Sequence, residues 1–122
     1  MEPINPRISV RYTQGATIVA FTDEKILEES DIRALQESLV SVIAQAEPMN
    51  IILDFQSVRF LSSAVLGLLI RISKRIYERK GRLKLCNIDA KIYEIFKITR
   101  LTQVFDICQD IEAAVRELSQ AH

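Results

Sequence analysis

Two adjacent serines, Ser62 and Ser63, have the setting in this chain that most favours chemistry. They lie a few residues after an apolar run that includes Asp54, and a second apolar run begins directly after them at Ala64. A serine between a strand and a helix can cap the helix N-terminus through its hydroxyl. In open α/β sheets, ligands and partners bind beyond the carboxyl ends of the strands, where such a loop lies. The pair is therefore either an ordinary helix cap or part of a binding surface.

Few other residues in the chain offer catalytic chemistry. His122 is the only histidine and stands last in the sequence, which argues against a His-based dyad, triad or metal site. Cys86 and Cys108 match neither a zinc spacing nor a disulfide framework, and we expect both as reduced, partly buried thiols. An enzyme that uses Asp54 with one of the serines is disfavoured, since Asp54 has the simpler role of capping the loop after its strand. We expect no catalytic residue, no cofactor and no metal.

Composition and charge describe an ordinary globular chain of 122 residues, with 48% hydrophobic and 26% charged residues. Sixteen basic residues balance sixteen acidic ones, so we expect no nucleic-acid or membrane partner. The longest apolar run is too short to span a bilayer, and the N-terminus has no stretch of signal-peptide length. We therefore expect a cytoplasmic protein with one domain over residues 1–122, an extended lead-in at 1–7 and a tail at 119–122.

The hydrophobic periodicity predicts alternating strands and helices around the two serines. The expected strands are Ile8–Tyr12, Thr17–Phe21, Asn50–Phe55, Arg82–Cys86 and an edge strand at Val104–Ile107. The expected helices are one with an apolar stripe from Ile32 to Ala46, one from Ser62 or Ser63 to about Arg79, and two that begin after Asp89 and Asp110. This alternation predicts an α/β fold with a mostly parallel central sheet of roughly four to five strands, an N-terminal antiparallel hairpin and about four helices.

Local signals set the expected ends of these elements. Gln14 and Gly15 mark a turn between the first two strands, and Ser30 is the candidate N-cap of the first helix. Gly81 is expected in the left-handed cap position at the end of the second helix. The continuous apolar run Ile51–Leu53 predicts a central strand that is covered on both faces.

The segment Phe60–Gly67, with the sequence Phe-Leu-Ser-Ser-Ala-Val-Leu-Gly, resembles the signature of STAS domains, specifically of bacterial anti-sigma factor antagonists. In that family the motif apolar-Asp-Ser-Ser/Thr-Gly-Leu-Gly stands at a junction of strand, loop and helix. The segment Ile95–Leu101 is similar to the family's apolar-Phe-x-apolar-Thr-Gly-Leu segment. The resemblance covers most of the chain, including the N-terminal hairpin, the strand with Asp54 and the later strand Leu83–Asn87. It implies a small STAS-like layered domain.

The resemblance also implies a mechanism of partner switching. An antagonist of this family binds an anti-sigma factor that is also a serine kinase, and so releases a sigma factor. Phosphorylation of the first serine after the motif aspartate blocks this binding, and a serine phosphatase restores it. By position that serine is Ser63, and the resemblance implies partner contacts from Asp23, Glu24, Ser62, Ala64, Val65 and Gly67.

The chain departs from the family motif at three positions. Ser62 replaces the motif aspartate, Ala64 replaces the second hydroxyl residue and Val65 replaces the first glycine. Glu24 matches one of the acidic positions that the family has after the second strand, although Asp23 and Glu24 also fit simple solvated loop carboxylates. The alternative function is a constitutive STAS scaffold or sensor subunit of a signalling complex that is not phosphorylated. In either case we expect a monomer or a weak dimer.

Overall fold

A five-stranded sheet organises the part of the chain that the computed structural model describes, residues 7–13 and 15–120. Across the sheet the strands are β1 (Ile8–Thr13), β2 (Ala16–Phe21), β4 (Asn50–Asp54), β6 (Arg82–Cys86) and β7 (Asp106–Cys108). β1 and β2 pair antiparallel, and the other neighbouring strands pair parallel. A separate parallel pair consists of two short strands, β3 (Lys25–Ile26) and β5 (Phe60–Leu61). The predicted α/β fold with a mostly parallel sheet and an N-terminal hairpin is confirmed.

Helices cover both faces of the five-stranded sheet. They are α1 (Glu29–Gln45), α2 (Ser63–Glu78), α3 (Ala90–Ile98) and α4 (Ile111–Gln120), with a 3₁₀ turn at Leu101–Gln103. The larger core lies between the sheet and α1, α2 and α3, and a smaller core lies between the sheet and α4. Within the described residues, none of the helices combines the length and the apolar character that a bilayer span requires.

The central strand β4 contributes to both cores. Ile51, Ile52 and Leu53 are 1%, 0% and 0% exposed, and β4 pairs with β2 on one side and with β6 on the other. Successive side chains of a strand point to opposite faces, so Ile51 and Leu53 enter the larger core while Ile52 enters the smaller one. Burial of each such side chain stabilises the fold by roughly 1.5–3 kcal/mol. The predicted two-sided burial of this strand is confirmed.

The predicted helix caps are confirmed at Asp89 and Asp110. The Asp89 carboxylate accepts a hydrogen bond of 3.0 Å from the amide two residues later, and the Asp110 carboxylate accepts one of 2.9 Å from the amide three residues later. Ser30 is not an N-cap, because α1 starts before it, and no side chain in the described part of the chain caps that helix start. β7 also starts later than the predicted Val104, because the residues before it form the 3₁₀ turn and a bend.

Gly81 has a different role from the predicted left-handed cap. The left-handed residue at the end of α2 is Lys80, with φ 61°, and the Gly81 amide donates to the Ile76 carbonyl at 2.8 Å. A Cβ at Gly81 would collide with Met49 and would lie 2.9 Å from the Ile76 side chain. Glycine is therefore needed for close approach of two chain segments, which local sequence signals do not report.

Some expectations concern residues outside the described part of the chain. They concern residues 1–6 of the lead-in, Gln14 of the first turn, and residues 121–122 of the tail, which include His122. Gly15, the described residue of that turn, has φ 76°, which a glycine adopts without steric cost. The expected tail at 119–122 is wrong for its first two residues, because α4 continues through Gln120.

The two cysteines lie side by side on neighbouring strands. Cys86 of β6 and Cys108 of β7 are register partners, and both are buried free thiols. Burial, to which the nearby Asp54 carboxylate adds, raises the pKa of Cys86 to about 12, and burial also raises the pKa of Cys108. Because the thiolate is the reactive form, neither side chain is prepared to act as a nucleophile near neutral pH.

We expect both thiols of the folded protein to resist iodoacetamide near pH 8 and to react fully in urea, as counted by intact mass. The free energy of unfolding should also fall as the pH rises from about 8.5 towards 12, because Cys86 ionises in the unfolded chain but stays protonated in the folded one. Cys86→Ala should weaken this pH dependence in urea titrations. Rapid labelling of the folded wild type would contradict the burial of the thiols.

Candidate functional site

The two serines at the start of α2 have opposite environments. Ser62 precedes the helix; its amide donates to the Ile26 carbonyl at 3.1 Å, and its carbonyl accepts from the Val65 amide at 3.0 Å. The Ser62 hydroxyl is enclosed and has no hydrogen-bond partner within the described residues. Ser63 is the first helical residue, and its side chain is exposed. The fold therefore presents one hydroxyl to the solvent and encloses the other, although both were candidates from the sequence.

The short β3–β5 pair brings the loop after β2 next to the start of α2. The amides of Arg59 and Phe60 both donate to the Glu24 carbonyl, at 2.8 and 3.1 Å. The Lys25 ammonium lies 5.6 Å from the centre of the Phe60 ring, within range of a cation–π contact. Strands of two residues have no periodicity, so the amino-acid sequence does not predict this pairing. The pairing of β3 with β5 places Glu24 and Ser63 at the same end of the molecule.

The Asp54 carboxylate holds the loop that leads from β4 to α2. The same carboxylate oxygen accepts two hydrogen bonds, one of 3.0 Å from the Gln56 amide and one of 2.9 Å from the Asn87 side chain. Phe55 and Val58 of the same loop are 0% exposed and fasten it to the larger core. Asp54 thus caps the loop after its strand, as predicted, and connects it to the loop after β6.

The two acidic residues after β2 differ in their engagement. Arg7 forms ion pairs with Asp23 at 2.8 Å and with Asp31 of α1 at 2.9 Å. Asp23 is thereby half-buried and helps to hold the loop, whereas the Glu24 side chain is exposed. Of the two residues expected to contact a partner, Glu24 has the more accessible carboxylate.

The first turns of α2 are apolar because most of them are buried. Val65 and Leu66 are 1% and 7% exposed and pack in the larger core. The expected partner contact from Val65 is therefore corrected, since this side chain points into the protein. Ala64 is exposed and Gly67 is half-buried, so these two residues lie on the accessible side of the helix.

Two exposed apolar side chains lie near this helix end and were not predicted from the sequence. Phe60 and Leu27 are each 48% exposed, although aromatic and aliphatic side chains of this size are mostly buried. The sequence contains one indication of their exposure, because neither residue belongs to a periodic apolar stripe. Beside Phe60 lies an open cleft of about 370 Å³ that reaches the start of α3; it is lined by Glu24, Arg59, Phe60, Asp89, Ala90 and Lys91. The whole arrangement is an accessible surface with exposed apolar side chains and mixed charge.

A matched pair of substitutions tests the two sides of the helix start. Val65→Asp should lower the free energy of unfolding by about 3 kcal/mol or more, because it buries an unpaired charge. Ala64→Asp should change it by less than about 1 kcal/mol, since this residue is exposed and an acid suits the first helical turn. Urea unfolding of both variants measures the difference. Equal stability of the two variants would contradict the burial of Val65.

The chain matches the family model described as STAS domain over residues 7–114. It is 30% identical to the anti-sigma-B factor antagonist of Bacillus subtilis (strain 168) over 82 residues, which are 67% of this chain and 73% of that protein. The sequence resemblance to STAS domains, stated above from the motifs, is thus confirmed by comparison.

Solved structures show the same fold. An anti-sigma-factor antagonist (STAS) domain protein from Planctomyces limnophilus superimposes with a TM-score of 0.85 and 22% identity, over 93% of this chain and 98% of that one. The Bacillus cell fate determinant SpoIIAA in its phosphorylated form superimposes with a TM-score of 0.67 and 17% identity, over 89% of this chain and 97% of that one. At these identities the likeness concerns the fold.

Proposed function

This chain belongs to the STAS domain family, and on that premise we propose that it is an anti-sigma factor antagonist that binds an anti-sigma factor and so releases a sigma factor. The similarity to the anti-sigma-B factor antagonist supports this role. The surface around the start of α2 also supports it, because Phe60, Ser63 and Ala64 are exposed there beside Glu24. Exposed apolar side chains that adjoin polar ones favour contact with another protein. Such an antagonist acts where its sigma factor acts, in the cytoplasm.

Ser63 is the proposed switch, and a serine kinase activity of the anti-sigma factor is the proposed source of the phosphate. The observation that carries this assignment is the contrast between the exposed Ser63 and the enclosed Ser62 hydroxyl. A kinase must reach the hydroxyl that it modifies, so accessibility favours Ser63. A serine phosphatase would remove the group and restore binding.

A phosphate on Ser63 would change binding far more than folding. It would add about 1.5 to 2 negative charges at the first residue of α2. The helix N-terminus favours such an anion, typically by about 0.3–1 kcal/mol. A partner surface closed over Ser63 would have to desolvate the same charge, and a coupling of about 3 kcal/mol would weaken binding roughly a hundredfold.

Three serine-to-alanine variants test the assignment of the acceptor. With an anti-sigma factor kinase from the same genome, Ser63→Ala should abolish phosphorylation, while Ser62→Ala should leave it unchanged. Ser57→Ala is the matched control, because Ser57 is an exposed serine in the loop before α2. Intact-mass analysis and peptide mapping identify the modified residue. Phosphate mapped to Ser62 or Ser57 would refute the assignment.

Binding measurements test the switch. Ser63→Ala should bind the anti-sigma factor like the wild type, and the Ser63-phosphorylated protein should bind roughly a hundredfold more weakly. Ser63→Glu should weaken binding less, since one charge imitates a phosphate incompletely. Ser57→Glu, with the same added charge, should have little effect in isothermal titration calorimetry. Equal affinity of the phosphorylated and unmodified proteins would exclude a switch at this site.

A constitutive scaffold or sensor subunit is the second candidate, and the altered motif favours it. Ser62 replaces the aspartate and Val65 replaces the first glycine of the family motif. The two functions predict different results in the same experiments. A scaffold binds its partner stably and shows no phosphate at Ser63 in the presence of an active cognate kinase.

A further inference from the structure

The exposed face of α2 carries a group of cations beyond its Ser63 end. Arg71, Lys74 and Arg75 are all exposed, and their spacing of three and four residues places them on one side of the helix. Within the described residues, none of the three forms an ion pair. Ion pairs do form on other helices, where Arg33 lies 3.7 Å from Glu29 and Lys97 lies 3.3 Å from Glu94. Lys91 and Arg116 are exposed helix cations that, in the described part of the chain, also form no ion pair, but only α2 groups three such cations on one side. We call Arg71, Lys74 and Arg75 the cationic face.

The cationic face is continuous with the surface around Ser63. The Arg71 guanidinium lies 3.7 Å from the position that a Cβ at Gly67 would take, so this side chain extends back along the helix by one turn. Ser63 stands one further turn towards the N-terminus, on the same side of the helix. Gly67 has no side chain that could separate the two. The charge of Arg71 therefore belongs to the same accessible surface as the Ser63 hydroxyl.

We propose that the cationic face is the second half of the partner-binding surface, and that the partner places acidic side chains opposite Arg71, Lys74 and Arg75. This inference rests on the proposed function, because it describes the surface of the same anti-sigma factor. Three accessible cations that form no ion pair within residues 7–13 and 15–120 are available to pair with carboxylates of another protein. The apolar and small residues at the start of α2 provide the contact area, and the cations provide orientation.

The charge balance of the chain favours a protein partner over a polyanion. The formal net charge is zero, so the cationic face is a local feature and not part of a broad basic field. Nucleic acids and anionic membranes attract proteins through many cations that act together. Three cations on one side of a helix match a small group of carboxylates on the surface of a folded partner.

The position of Arg71 also gives a phosphate on Ser63 a second effect. Cβ atoms one helical turn apart are about 5–6 Å from each other, so a phosphoryl group on Ser63 extends towards the guanidinium beside Gly67. Arg71 would then pair with the phosphate of its own helix. The partner would lose a cation as well as meet a new negative charge.

A charge-reversal experiment tests the cationic face. The double variant Arg71→Glu with Lys74→Glu is compared with the control Arg11→Glu with Arg116→Glu, which changes the net charge equally. Arg11 and Arg116 are exposed beside α4, on the opposite face of the sheet. The ligand is the anti-sigma factor that binds the wild type, and association rates are measured by surface plasmon resonance at low and high salt. We expect Arg71→Glu with Lys74→Glu, the test pair, to slow association at low salt by about tenfold or more. Arg11→Glu with Arg116→Glu, the control pair, should slow it by less than about threefold.

Three results would overturn the inference. Equal slowing by both pairs would show a net-charge effect alone, and unchanged association of the test pair would place the cations outside the interface. In the third, the wild type binds vesicles of phosphatidylserine and phosphatidylcholine, the test pair does not, and both still bind the anti-sigma factor. That result would assign the cations to a membrane contact. Urea unfolding of both pairs confirms that they fold. If the wild type binds no anti-sigma factor, the proposed function fails first and the inference falls with it.

Discussion

The two-sided burial of β4 is the constraint on which the rest of the structure depends. Ile51, Ile52 and Leu53 have no accessible face, because β2 and β6 flank the strand and a helical layer covers each side. A one-residue slip of this strand would exchange its two faces, and Ile52 would then have to fill the larger core in place of Ile51 and Leu53. The end of β4 at Asp54 is therefore a fixed point, and the loop towards α2 starts from it.

From that fixed point, buried residues hold in place the exposed residues of the proposed partner surface. Asp54 binds the loop backbone, Phe55 and Val58 fill the core beneath it, and Val65 fastens the first turn of α2. Since the supporting contacts are buried, a chemical change at the exposed Ser63 leaves them intact. The geometry thus separates the stability of the fold from the affinity of the surface, which a reversible switch requires.

The distribution of charge has a similar logic. The chain has no net charge, yet Arg71, Lys74 and Arg75 lie on one accessible face of α2 and form no ion pair with any residue that the structure describes. Arg7 and Lys84, in contrast, are held by ion pairs with acids of neighbouring elements. Exposed ion pairs contribute little to stability, whereas unpaired charges at a contact surface influence which partner associates and how fast. Local placement of charge is therefore more informative here than the total.

The residues alone were enough to predict the longer helices and strands and their order, but not the two-residue strands β3 and β5. Apolar runs and stripes predicted β2, β4, β6 and α2 correctly, because burial imposes a periodicity that any reader of the chain can count. The caps Asp89 and Asp110 were predictable for a different reason: a cap acts on amides only two or three residues away, so its signal is local. The folded chain was needed to show which serine is accessible, that Val65 is buried, and that Gly81 lies against Met49. Those facts depend on contacts between segments far apart in the chain, such as the Glu24 carbonyl and the Arg59 amide, which leave no local pattern in the residues that make them.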